Sequence, residues 1–193
     1  MEVGVVNRIH LSPSARRPAT APRMDMPAAA PDFADAHARV CKLCDHFEQR
    51  VAEVKAPGYK EANARDEFIT PFFEALGWDV RNAAHRSTYE KDCATEKRED
   101  IEGSVRSADY AFRRPGTHLF SFYVEAKKPS VDVRNHTDCH QAVRYGWNAS
   151  TPLVILTDFE QFLILDARAE PDRDAASRHS RNIWHAAASL STR

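Results

Sequence analysis

"FSFYVEAKKPSV", residues 120–131, decides the fold. Apolar and polar residues alternate from Phe120 to Ala126 and give way to two lysines and Pro129, the pattern of a strand that ends in a charged turn. Successive strand residues point to opposite faces. Phe120, Phe122, Val124 and Ala126 therefore share one side, and Ser121, Tyr123, Glu125 and Lys127 the other. One face is expected to be core and the other to carry the charge.

Working backwards, "SADYAF" (107–112) reads as a second strand, separated from the first by the turn signal "RPGTH". Asp109 is opposite in phase to Ala108, Tyr110 and Phe112. If residues 115–119 form a five-residue loop, Arg114 pairs with Phe120 and Asp109 falls directly across from Glu125. The two carboxylates would then be about 5 Å apart at the backbone. Like charges so placed are destabilising and raise the pKa of one of them unless something compensates. A hard divalent cation is the natural compensation. Asp109, one oxygen of Glu125 and the main-chain carbonyl of Ala126 are its expected ligands, with Lys127 beside the attacking water. Such a group suits phosphodiester hydrolysis, where the metal activates water and both cations stabilise charge on the phosphate.

Working forwards, "TDCHQAVRYGWNAS" has the apolar spacing of a helix, "PLVILT" reads as a buried strand and "FLILD" as its hairpin partner across "DFEQ". At the other end, Phe33 to Val54 is expected to be one helix. Cys41 and Cys44 lie in its packed face rather than in a zinc site, which would need a second ligand pair. A second helix follows "PGY", with Phe68, Ile69, Phe72, Phe73 and Leu76 as its buried stripe and Gly77 as its stop. "WDV" (78–80) reads as a short strand, and residues 81–106 as either a loop or a poorly marked strand pair. The order of elements gives an α/β fold with a mixed central sheet flanked by helices.

With 193 residues, 42% of them hydrophobic, the chain can bury one sizeable core, and one domain with tails is expected. Residues 33–166 hold 18 Lys and Arg against 22 Asp and Glu, a balance of -4, so a surface-wide basic footprint for nucleic acid is missing. Four cysteines without a secretory signal or a long apolar run suggest a reduced, cytoplasmic protein with no membrane partner. Residues 1–32, rich in Pro, Ala and Arg, read as a disordered leader, with Met24 or Met26 as alternative starts. Residues 167–193 show no clear period and read as a poorly defined tail, as in a truncated chain. His118, His136 and His140 form no triad with a Ser or Cys, so covalent catalysis is not proposed.

Asp109, fifteen intervening residues and then Glu125-Ala126-Lys127 resemble the D…ExK core of the PD-(D/E)xK nucleases, although Ala108 stands where that signature has proline. The stretches "KEANARDEFITPFFEALGWDV", "SADYAF", "FYVEAKKPSV" and "QAVRYGWNASTPLVILTDFEQF" are similar to the amino-terminal nuclease domain of type I restriction R subunits and of fused type IIG restriction–methyltransferase enzymes. The resemblance covers about residues 57–166. It implies a restriction-endonuclease-like core, magnesium as cofactor and DNA as substrate. Gln141 and Tyr145 match a QxxxY element; four apart on one helix face, they would contact the phosphate backbone or brace the lysine. Glu61 to Arg65 match an "EAxxR" element. On a wheel of about 100° per residue Glu61 and Arg65 face inward and Glu67 faces solvent, which leaves a plain Glu61–Arg65 pair open; the resemblance implies instead that Glu61 is an auxiliary metal or water ligand.

The expected function is a magnesium-dependent DNA endonuclease domain of a restriction-modification system. Asp109, Glu125 and Lys127 are its catalytic residues, Glu61, Gln141 and Tyr145 its auxiliaries. The alternative is a non-catalytic DNA-binding or assembly module retaining the core as a scaffold. The chain has no Walker A or methyltransferase motif. It is therefore expected to be a fragment or a separate piece that works with helicase, methyltransferase or specificity partners.

Overall fold

The computed structural model describes residues 31–101, 104–113, 117–171 and 180–185. Two helices open it, α1 (Phe33–Gln49) and α2 (Val51–Val54), where the apolar spacing predicts a single one. The break falls at Arg50, whose backbone leaves helical geometry at φ -113. Its side chain bonds to Glu53 and crosses to Glu67 on the next helix. That next helix is composite: α3 (Glu61–Ala64), a π-helical turn at Arg65–Ile69, and α4 (Thr70–Ala75). Phe68, Ile69, Phe72 and Phe73 are buried as expected, but Leu76 is 43% exposed because it forms the C-cap beyond the last packed turn.

Gly77 ends the helix at φ +95, with Pro31 so close that a Cβ would lie 2.4 Å from its Cδ. Only glycine suits both the conformation and the space. Trp78 to Val80 do not form the expected strand. Trp78 packs edge-on against Phe112 and Phe122, at ring centroids 5.0 and 5.6 Å away. The Asp79 carboxylate accepts from the amides of Ala83 and Ala84, which ties the segment into a turn rather than a ladder. The polar stretch that follows resolves into turns up to Asp92 and then strand β1 (Cys93–Ile101).

β1 leads a sheet completed by β2 (Ser104–Arg113), β3 (Phe120–Ala126), β4 (Leu153–Thr157), β5 (Gln161–Asp166) and β6 (Ser180–His185), with neighbours in sequence order. Every pairing is antiparallel except β3 with β4, which are parallel and joined through α5 (His136–Asn148). The fold is therefore the expected α/β architecture with a mixed, helix-flanked sheet. β6 lies in a stretch where the sequence shows no period. The rest of the leader and tail readings, residues 1–30, 172–179 and 186–193, lies outside the described residues.

Both faces of the sheet are core, which corrects the expectation of one apolar and one charged face. On one side Val124 and Ala126 meet a cluster rich in phenylalanine from α1, α4 and the β4–β5 hairpin, including Phe47, Phe68, Phe73 and Phe159. On the other, Tyr123 is 1% exposed and packs with Val143 and Tyr145 of α5. Each such buried side chain contributes about 1.5–3 kcal/mol. α5 sits close because Gly146 faces β4, where a Cβ would lie 2.5 Å from Val154 Cγ2. Where the cover of α5 gives way at the end of β3, Glu125 and Lys127 line a cleft.

Candidate active site

The register between β2 and β3 sets Tyr110 opposite Val124 and Phe112 opposite Phe122. One further step in the same register brings Asp109 opposite Glu125, as the alternation predicts. The loop end differs: a bulge after Phe112 pairs Arg113, not Arg114, with Phe120. Two anchors hold Asp109. Its Oδ2 accepts from the amide of Ala126 at 2.8 Å, and its Oδ1 accepts from Arg65 Nη1 at 2.6 Å. On the far side, β1 is kinked opposite Asp109 by Glu96, whose φ is +52 and across which the ladder with β2 is interrupted. A side chain of this type held there costs about 1–3 kcal/mol. The Glu96 carboxylate lies 3.6 Å from Arg65.

β3 ends at Ala126, but the amide of Lys127 still bonds to the carbonyl of Thr157, so the lysine keeps strand geometry. Lys127 Nζ lies 3.0 Å from Glu125 Oε1 and 3.8 Å from Asp138 Oδ1. Burial, with Asp109 adding repulsion, pushes the Glu125 carboxyl up to about 7, against the pull of Lys127. Burial also raises Glu61, with Asp109 again the main charge against it. For Lys127 burial acts to lower the pKa, but Glu125 and then Asp138 outweigh it, and the group stays an ammonium.

Glu61, half-buried in the first turn of α3, is within electrostatic reach of Asp109 and Lys127, while Glu67 is bonded to Arg50. Arg65 points inward too, yet its partners are Asp109 and Glu96. Gln141 and Tyr145 line the same cleft as Glu125 and Lys127. Gln141 is exposed; Tyr145 is 7% exposed with its ring edge-on to Tyr123, so it also braces the strand that carries Glu125. Lys128 starts the turn into Pro129 and takes no place in the cleft.

Two participants escape the sequence reading. Asp138 is one; its second oxygen accepts from Asn135, the residue that caps α5 through the amides of Thr137 and Asp138. The Asn135-x-x-Asp138 spacing marks a helix start, but no local pattern links it to Lys127. Glu96 is the other, on a strand whose charged sequence shows no alternation.

Glu61, Glu96, Asp109, Glu125 and Asp138 stand against Arg65 and Lys127, an excess of three negative charges when all are ionised. All donors at Asp109, Glu125 and the Ala126 carbonyl are oxygen, the donor set a hard divalent cation takes. Among the described residues no three acidic, histidine or cysteine side chains surround a common point. The oxygen donors present are thus two carboxylates and a carbonyl.

Over 151 residues the chain is 30% identical to the type II restriction enzyme and methyltransferase RM.Eco57I of Escherichia coli. The aligned part is 75% of this chain and 15% of that relative, so the chain spans a small share of its length. The chain is related to a restriction-modification enzyme. No family model matches it, and no solved structure does. Among the described residues no helix is long and apolar enough to cross a membrane.

Proposed function

We propose that this chain is the DNA-cleaving part of a restriction-modification enzyme, a PD-(D/E)xK nuclease that hydrolyses phosphodiester bonds with magnesium. The convergence of Asp109, Glu125 and Lys127 at one strand end carries this reading. Asp109, Glu125 and the Ala126 carbonyl would hold the cation, with Glu61 as auxiliary. When bound, the cation supplies Lewis acidity and lowers the pKa of water. The Lys127 ammonium orients the attacking water and offsets charge that grows on the phosphate. Glu125 contributes as its carboxylate, and Tyr145 and Gln141 fix the cleft wall. The similarity to a fused enzyme favours methyltransferase and specificity parts as partners over a helicase.

The test is incubation of the whole chain with plasmid DNA in magnesium or in chelator. Magnesium-dependent nicking that is lost in Asp109→Ala, Glu125→Ala and Lys127→Ala supports the reading. Undiminished cleavage by Lys127→Ala removes the site assignment.

One observation favours the second reading, a scaffold that binds DNA or assembles without cutting. Arg65 already neutralises Asp109, and Lys127 already pairs with Glu125. A chain that binds DNA but never cuts it, with any divalent cation, is what that reading expects.

A further inference from the structure

Between α5 and the ends of β2 and β3 lies a cleft of about 190 Å³. Glu125 and Lys127 form one end; Ser107, Thr137, His140 and Arg144 continue it along the helix. His140 and Arg144 are four residues apart, so they lie one above the other on one helix face, about 6 Å apart along the axis. The cleft is thus polarised: carboxylates and the ammonium at one end, an imidazole and a guanidinium leading away.

Size limits the occupant. Sites for drug-sized molecules run to about 300–1,000 Å³, so this smaller, open-sided cleft suits a sugar–phosphate unit better than a whole nucleotide with its base. The start of α5 is not the anion site either. Asn135 already accepts from the amides of Thr137 and Asp138, the donors an anion would need there. Any phosphate must be held by side chains, and Asp138, bonded to Asn135 and sharing Lys127 with Glu125, keeps the anion away from that end and toward His140 and Arg144.

We propose that this cleft is a binding site for the DNA backbone next to the scissile bond, with Arg144 gripping the neighbouring phosphate and His140 bonding to the same strand. This rests on the nuclease reading for the direction of the strand, but the grip itself is independent of cleavage. A planar guanidinium suits a phosphate because it can donate two parallel hydrogen bonds.

The test reads binding of the whole chain to a short DNA duplex in chelator, where no cleavage occurs, across a range of salt concentrations. One lost phosphate contact flattens the slope of log affinity against log salt by about 0.9. Arg144→Gln should show that loss, and Arg144→Lys, which keeps the charge, should restore most of the slope. Thr137→Lys, at an exposed position on the cleft wall, should steepen it by a similar amount, and it reads the same surface if Arg144→Gln proves unstable. A wild-type slope in folded Arg144→Gln, or in Thr137→Lys where that variant stands in, overturns the proposal, as does absence of duplex binding. A changed slope in a chain that never cuts with magnesium would leave the backbone site standing and remove the nuclease reading. Normal cutting with an unchanged slope would do the reverse.

Discussion

Arg65 donates to one oxygen of Asp109 at 2.6 Å while the strand amide of Ala126 occupies the other at 2.8 Å, so the carboxylate is fixed in direction by the fold itself. The guanidinium does part of what a cation would do electrostatically. Removing it with Arg65→Ala leaves Asp109 facing Glu125 without that neutralisation. In chelator the variant should lose about 1–3 kcal/mol of stability, scaled down from a fully buried pair because both side chains keep some exposure. Magnesium should recover a larger share of the loss in the variant than it adds to wild type. Urea melts with and without magnesium measure both; equal gains would mean that Arg65 and the cation act at different places.

Glu125 gives a stability that depends on pH with a defined sign. An ordinary glutamate titrates near 4.5, and in the fold this one is pushed up to about 7 by burial and by Asp109. Between those values the folded chain binds more protons than the unfolded chain, so stability falls as pH rises from about 4.5 to 7. The contribution, fully present below 4.5, is gone above 7. Magnesium, which favours the ionised form, should therefore raise the melting temperature more at pH 8 than at pH 5.5. A larger effect at the lower pH would contradict the assignment.

Replacing Glu125 by glutamine should separate stability from activity. The amide keeps the shape and removes a buried carboxylate, so in chelator at pH 8 Glu125→Gln should melt at or above the wild-type temperature. Cleavage should fall at least a hundredfold, the scale of losing one transition-state stabilising group. A variant that is destabilised and still active would show that Glu125 is structural.

Glu61 and Glu67 lie six residues apart on the same composite helix in different surroundings. Glu61→Gln should raise the magnesium concentration needed for half-maximal cleavage. Glu67→Gln should leave that unchanged and at most slightly lower the melting temperature, since it breaks the partly exposed pairing with Arg50. The reverse pattern would make Glu67 the third acid.

Much of this site is legible from a few residues, because strand alternation and a short hairpin leave little freedom. Phe122, Val124 and Tyr110 fix the β2–β3 register, and Asp109 and Glu125 follow from it. What escapes is set by contacts distant in sequence. The charge on β1 hides a nine-residue strand, because its pairing with β2 does not depend on apolar alternation. The burial of Tyr123 depends on α5, which packs over it through Gly146. Trp78 and Val80 look like strand residues by composition, yet the Asp79 carboxylate takes the neighbouring amides for itself. Asp138 reaches Lys127 only through the crossover from β3 to β4.

The π-helical turn at Arg65–Ile69 divides one helix into two halves whose angular positions are set separately. It holds an extra residue relative to an α-turn, so the faces before and after it are offset by about 100°. The acid and arginine at 61 and 65 can be aimed at Asp109 and its surroundings while Phe72 and Phe73 keep their own fit in the core. Loss of one residue within the turn would leave the phenylalanines seated and swing Glu61 and Arg65 a quarter-turn off target. One residue in this turn therefore sets the aim of a charged pair without touching the core behind it.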